Sequence, residues 1–231
     1  MSTLNIKYCF IAGILVLTIW VSKAQSSYEL GWLPSLTFNK KLPKDYVINF
    51  KAESRQVMES GVFNSDISEG YDYVLTDFTT IIGKKIGMNT SLNLGYLFRV
   101  ENNVIIHRSI QQLIWVNRYE GFKLGHRLAT DQTFEPGEAP AYRLRYRMVG
   151  ELPLSGLEVD VNEFYIKAGT EYLNELQSGK YEGELRLMPF LGYALNPKQK
   201  LELGLDYRLG NFINGPPEHT FWIGMNWYVS L

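Results

Sequence analysis

Cysteine is nearly absent from this chain of 231 residues: Cys9 is the only one. It falls in a stretch that reads as a removable leader. The rest has no disulfide framework and no thiol for metal binding or nucleophilic chemistry. Charge imbalance is absent too, since 23 Lys and Arg stand against 24 Asp and Glu, giving −1 overall. No global field therefore points to nucleic acid. Beyond residue 24 no apolar run is long enough for a spanning helix, which excludes a helical membrane protein. Three scattered histidines, His107, His126 and His219, offer no metal-ligand spacing. There is no phosphate loop or nucleotide fingerprint, no helix of useful length and no low-complexity tract. No metal and no cofactor are expected.

What is present begins with the leader. Lys7 precedes an apolar run, Tyr8 to Val21, and Ser22-Lys23-Ala24 makes a small-x-small site before Gln25. That order predicts a signal peptide over residues 1–24, cleaved after Ala24. The run is short for a membrane anchor, which needs roughly 20 apolar residues, and Cys9 lies too early for a lipoprotein. Residues 25–231 then form one all-β domain.

Aromatics are plentiful, with 15 Tyr, 12 Phe and 5 Trp. Strands favour them, and membrane barrels gather them into girdles. After Gln25 nearly every segment alternates at period two, the strand period. Eleven segments emerge: Glu29–Lys41, Tyr46–Val57, Tyr71–Lys85, Ser91–Val100, Val104–Asn117, Phe122–Asp131, Ala141–Leu154, Glu163–Asn174, Lys180–Leu195, Gln199–Gly210 and Thr220–Leu231. Met58–Glu69 reads as a polar loop, and His219 falls in the loop before the last strand. Single-chain bacterial barrels have even strand numbers, so eleven implies a miscount by one. The expectation is a single antiparallel up-and-down transmembrane β-barrel of about 10–12 strands, with tight turns at one end and longer loops at the other.

The faces of these strands decide between a soluble and a membrane barrel. Tyr142, Leu144, Tyr146 and Met148 alternate with Arg143, Arg145 and Arg147. Later strands repeat the pattern: Tyr181, Leu185, Leu187 and Leu191 form one charge-free face, and Leu201, Leu203, Leu205 and Tyr207 another. A membrane barrel needs an outward band without charge over roughly 25 Å and tolerates charge inside. The opposite faces are then lumenal, where Arg127, Arg143, Arg145, Arg147, Arg186 and Arg208 meet Glu171, Glu182, Glu184, Glu202 and Asp206. Buried charge is expensive unless paired, so this network is expected to hold the barrel shut and rigid, with anion binding a second role. The interior of a small barrel is filled by its own side chains, which argues against a wide pore. A soluble periplasmic barrel binding an apolar ligand is the competing architecture.

The last segment places Phe221, Ile223, Met225, Trp227, Val229 and Leu231 on one unbroken apolar face. Outer-membrane barrels typically finish in such a strand, which the barrel-assembly machinery reads, although Leu231 stands where an aromatic is usual. The partners expected are outer-membrane lipid and, during biogenesis, that machinery. The location expected is the outer membrane of a Gram-negative cell.

Several short motifs resemble one family. They are Trp32 followed by Leu42-Pro43 and Tyr46; His107-Arg108-x-x-Gln111; Arg127; Arg143-x-Arg145-x-Arg147 leading into Leu152-Pro153-Leu154; and Glu163-Phe164. Together, over residues 28–231, they resemble the DUF2490 family, outer-membrane-type barrels of Bacteroidota-like bacteria with no assigned activity. The resemblance implies fold and location and supplies no catalytic residue.

One catalytic alternative arises from the residues. His107 and Ser109 stand two apart and so share a strand face, as a base and a nucleophile would. Some outer-membrane lipid hydrolases carry a similar pair. A third group must orient the histidine, and neither Asn117 nor Glu120 has a compelling spacing. The competing reading is a lumenal hydrogen-bond cluster of His107, Ser109 and Gln111, and the chain is read as non-enzymatic.

Overall fold

The computed structural model describes residues 26–65 and 67–231. The expected signal peptide and its cleavage point lie outside them. Eleven strands close one barrel: β1 (Ser27–Leu42), β2 (Tyr46–Val62), β3 (Ile67–Lys85), β4 (Thr90–Glu101), β5 (Val104–Tyr119), β6 (Phe122–Phe134), β7 (Ala141–Pro153), β8 (Phe164–Gln177), β9 (Lys180–Asn196), β10 (Gln199–Gly210) and β11 (Glu218–Ser230). The described residues contain no helix.

Four expectations need correction. The count is eleven, so the even-number rule does not apply and no strand was merged. The barrel is also not wholly antiparallel. An odd number of up-and-down strands leaves the first and last running the same way, so β1 and β11 close the barrel as a parallel pair. The predicted loop at Met58–Glu69 is mostly strand: β2 runs to Val62 and β3 starts at Ile67. His219 lies within β11 rather than in the preceding loop.

Local sequence fixes the hairpins. Asn102 and Asn103 both have positive φ, as do Ser178 and Gly179. That is the left-handed backbone of two-residue type I′ turns, whose twist matches the strands they join. Long and short connections mix at both ends. Residues 154–163 lie at the end holding Pro43, while 135–140 and 211–217 lie at the end holding Asn102. The expected asymmetry between the two ends is therefore not present.

Register gives the barrel its dimensions. Leu42 pairs with Tyr46, and the row continues through Lys84, Leu92, Leu113, Leu128, Tyr146, Tyr172, Leu185, Leu209 and His219 to Tyr28. One circuit thus climbs 42 − 28 = 14 residues of β1. With ordinary strand spacings, that stagger tilts the strands by about 40°. A strand of 12 residues such as β4 then rises roughly 30 Å along the axis.

The two faces differ sharply. The outward positions of β4 through β11 hold no Asp, Glu, Lys or Arg, and Leu94, Leu144, Leu187 and Leu203 are all exposed there. The inward face holds the charges together with Leu33, Leu97, Met188 and Trp222. Glycine makes room for the largest inward rings. A Cβ on Gly192 would sit inside the Tyr165 ring, which is fully buried. Phe190 likewise lies over Gly204 and Gly224.

Candidate lumenal site

The site grows from strand parity. Arg143, Arg145 and Arg147 alternate with exposed Tyr142, Leu144 and Tyr146, so β7 turns all three guanidiniums inward. They meet two carboxylates that are 0% exposed, Asp131 on β6 and Glu171 on β8.

Three arginines converge on Asp131. Arg143 Nε donates to Oδ1 at 2.5 Å, Arg145 Nη2 lies 2.6 Å from Oδ2, and Arg108 Nε is 3.5 Å away. Three more converge on Glu171. Arg127 Nη2 and Arg147 Nε donate to Oε2 at 2.6 and 2.8 Å, and Arg186 Nη1 lies 3.3 Å from Oε1. Arg186 also pairs with Glu184. Each carboxylate is thus surrounded by like charges, most of which have no other counter-charge among the described residues. Deleting either one would leave guanidiniums buried without a counter-charge.

Further lumenal charges form smaller groups. Asp77 accepts from Arg99 Nε and Nη2 at 2.7 and 2.9 Å, while Glu53 takes Lys51 and Arg55 at 2.5 and 3.3 Å. Glu202 accepts from Tyr165 Oη, Lys167 Nζ and Tyr228 Oη at 2.8–3.1 Å. Asp206 takes both Arg208 Nε and Nη2. Planar forks of this kind suit arginine.

Most of the expected network residues come together here. Glu182 does not: it shares the inward parity but sits exposed near the Ser178–Gly179 turn, with no ion pair among the described residues. Sequence reasoning passed over Asp131, Asp77, Glu53, Arg55, Arg99 and Lys167 as members of the network. Their signal was the same parity, read strand by strand. The inward parity of Arg108, opposite Thr133 on β6, was also available.

His107, Ser109 and Gln111 require a correction, because they face outward. The inward positions of β5 are Ile106, Arg108, Ile110 and Gln112, all buried. His107 Nδ1 bonds Tyr96 Oη at 2.5 Å, whereas Ser109 Oγ donates to Gln132 Oε1 at 2.5 Å. The two are not hydrogen-bonded to each other, so no base–nucleophile pair forms. Gln111 and Gln132 exchange further bonds with each other, and Thr130 donates to Gln111. This is a polar patch on the outer wall, not a lumenal cluster. His126 also faces outward, stacked on Trp115 and bonded to Tyr146 Oη. The C-terminal face is outward as well: Met225 and Trp227 are exposed, and the alternate residue Trp222 is buried inside.

Two cavities lie in series inside the barrel. One of about 470 Å³ fills the middle and is lined by the arginines of β6 and β7 with Arg55, Arg99 and Arg186. The other, about 580 Å³, opens at the end carrying Asp45, Met88 and Arg118. They share Asn49, Ile81, Gln112 and Arg127. Among the described residues no cluster of His, Cys, Asp and Glu has metal-binding geometry.

Residues 31–222 match the sequence model of a family described as a protein of unknown function, DUF2490. No curated protein and no solved structure matches the chain.

Proposed function

The chain belongs to the DUF2490 family, and from that premise we propose that it is a non-enzymatic β-barrel of the bacterial outer membrane, exported by a cleaved signal peptide. The observation that carries this reading is the outer wall. From β4 to β11 not one Asp, Glu, Lys or Arg points outward, and large apolar side chains stay exposed there. In water such a wall would be an association liability. In a bilayer it is what the hydrocarbon requires. The rise of roughly 30 Å for a strand of 12 residues matches the hydrocarbon thickness. Odd strand counts are known among membrane barrels, in mitochondria.

Its work is that of a rigid, narrow barrel rather than a wide pore. Ion pairs between neighbouring strands line the lumen at mid-height, and Phe190, Trp222 and Tyr165 project inward among them. Cavities of about 470 and 580 Å³ suit small solutes. Fractionation with heat-modifiable gel migration tests the proposal. The expected result is a protein released from membranes only by detergent, migrating faster unheated than boiled. Release by carbonate or high salt alone would overturn it.

A further inference from the structure

We propose that the arginine wall of β6 and β7 is a binding site for a small oxyanion, of the phosphate or phosphate-monoester class. The inference deepens the narrow-barrel reading by naming what the lumen holds. It rests on the lumen alone and not on the surrounding membrane.

The first ground is a local imbalance of charge. Arg127, Arg147, Glu171, Arg186 and Arg208 are successive register partners across five strands. One hydrogen-bonded row therefore holds four guanidiniums and one carboxylate. Like charges directly opposite each other on a sheet are destabilising, yet Arg127 faces Arg147 and Arg186 faces Arg208. Around Asp131 and Glu171 six arginines gather: Arg108, Arg127, Arg143, Arg145, Arg147 and Arg186. Adding Glu184 and the more distant Glu175 gives four carboxylates, leaving 6 − 4 = 2 positive charges in excess. The other mid-height groups balance: Lys51, Arg55 and Arg99 with Glu53, Asp77 and Glu101; Lys167 with Glu202; Arg208 with Asp206. Lys123 and Lys200, which share Glu151, lie apart from this cluster.

The second ground is open donors. Arg127 Nε, Arg143 Nη2 and Arg145 Nε are buried and make no hydrogen bond among the described residues. A guanidinium carries five N–H groups, and an unpaired one out of water is costly. Arg143 and Arg145 are nine-tenths or so covered, at 11% and 12% side-chain exposure. The third ground is access. These three residues line the central cavity, and Arg127 also lines the outer chamber that opens at the Asp45 end. An anion reaching Arg127 from that chamber meets the excess charge directly. Tetrahedral oxyanions accept the paired N–H donors of guanidinium forks, and a doubly charged one would cancel the local excess.

The test uses the purified full-length barrel in detergent, titrated with inorganic phosphate against sodium chloride of matched ionic strength. Thermal unfolding and calorimetry are the readouts. The expected result is a saturable rise in Tm with phosphate that chloride does not reproduce. Arg145→Lys, which keeps the charge and loses the fork, should weaken binding at least tenfold. Glu171→Gln, which adds to the excess, should tighten it, a sign that a purely structural role would not produce. Glycerol phosphate in a second arm distinguishes a monoester ligand from free phosphate. A wild-type barrel with no saturable response, or one equal to that of chloride, overturns the site whether or not either variant folds. Because the barrel is assayed as purified, a negative result here leaves the membrane test independent.

Discussion

Replacing Leu203 by Arg measures whether the outer wall faces lipid. The stagger of 14 residues over eleven strands shifts the residue of equal height by about 1.3 positions per strand. The level of Gln111, midway along β5 (Val104–Tyr119), then passes near Ser35, Gly95, Ala129, Met188 and Gly204. Each residue rises about 2.5 Å along the axis at this tilt. Leu203 is outward, 57% exposed and about 4 Å from the middle level. Its cross-strand partners Leu191 and Met225 offer it no counter-charge. An outward Arg at the bilayer midplane costs about 2–4 kcal/mol. Leu42 is also outward but lies about 18 Å from that level, where the cost falls to about 0–1 kcal/mol. The assay is reversible unfolding by urea in lipid vesicles, followed by the fluorescence of Trp32, Trp115, Trp222 and Trp227. Equal costs for Leu203→Arg and Leu42→Arg, both within about 0.5 kcal/mol as on a solvated surface, would refute the reasoning.

Glu171→Gln leaves Arg127, Arg147 and Arg186 facing a neutral amide and should cost about 3–5 kcal/mol in the same assay. Glu151→Gln, which breaks the looser pair with Lys123 at 3.4 Å, should cost under about 1 kcal/mol, and equal losses would contradict the network's role. Gly192→Ala drives a methyl into the Tyr165 ring and should destabilise by about 1–3 kcal/mol; an unchanged Tm would show that the ring can move aside. Gln111→Leu removes a carboxamide from the middle of the outer wall and should leave stability in lipid equal or higher, while Ser109→Ala should leave lipid turnover unchanged, and loss of a lipase activity with Ser109→Ala would revive the catalytic alternative. If the barrel spans a bilayer as proposed, cysteines placed at Ser178 and at Lys198 should react with impermeant reagents from opposite sides, because those turns lie at opposite ends of the barrel.

Strand positions were legible because alternation is strongest where one face is uniformly apolar. Tyr142/Leu144/Tyr146/Met148 against Arg143/Arg145/Arg147 needs no partner strand to be read. On β5 both faces are mixed. Ile106 and Ile110 point into the lumen beside Arg108 and Gln112, while His107, Ser109 and Gln111 lie on the outer wall. Polarity alone therefore pointed the wrong way. Only the register settles it, since Tyr96 pairs with Ser109, and Gln132 with the same Ser109 from the other side. The site was half legible for a related reason. The arginines announce themselves in sequence, but Asp131 gains its place only when β6 and β7 pair Asp131 with Arg143. The loop expected at Met58–Glu69 failed because the β2–β3 hairpin extends past the apolar band, where its outward residues need not be apolar.

The odd strand count has a structural cost that the closing seam must offset. Parallel ladders are slightly less stable per residue than antiparallel ones, and β1–β11 is the one parallel pair in this barrel. The seam is nonetheless long, running from Ser27↔Glu218 to Asn39↔Ser230. It carries side-chain ties that the backbone pattern alone would not supply. Ser35 Oγ donates to Asn226 Oδ1 at 2.6 Å inside the lumen, and Leu231 N donates to Asn39 O at 2.8 Å beyond the last strand. Trp222 packs its ring over Gly31, where a Cβ would collide with it. The apolar outward face of β11 then continues that of β1, Met225 beside Pro34 and Trp227 beside Leu36. In lipid, two open strand edges would leave rows of unsatisfied N–H and C=O groups, each costing several kcal/mol. Closure through a parallel pair avoids that cost, and the small deficit per residue is minor beside it.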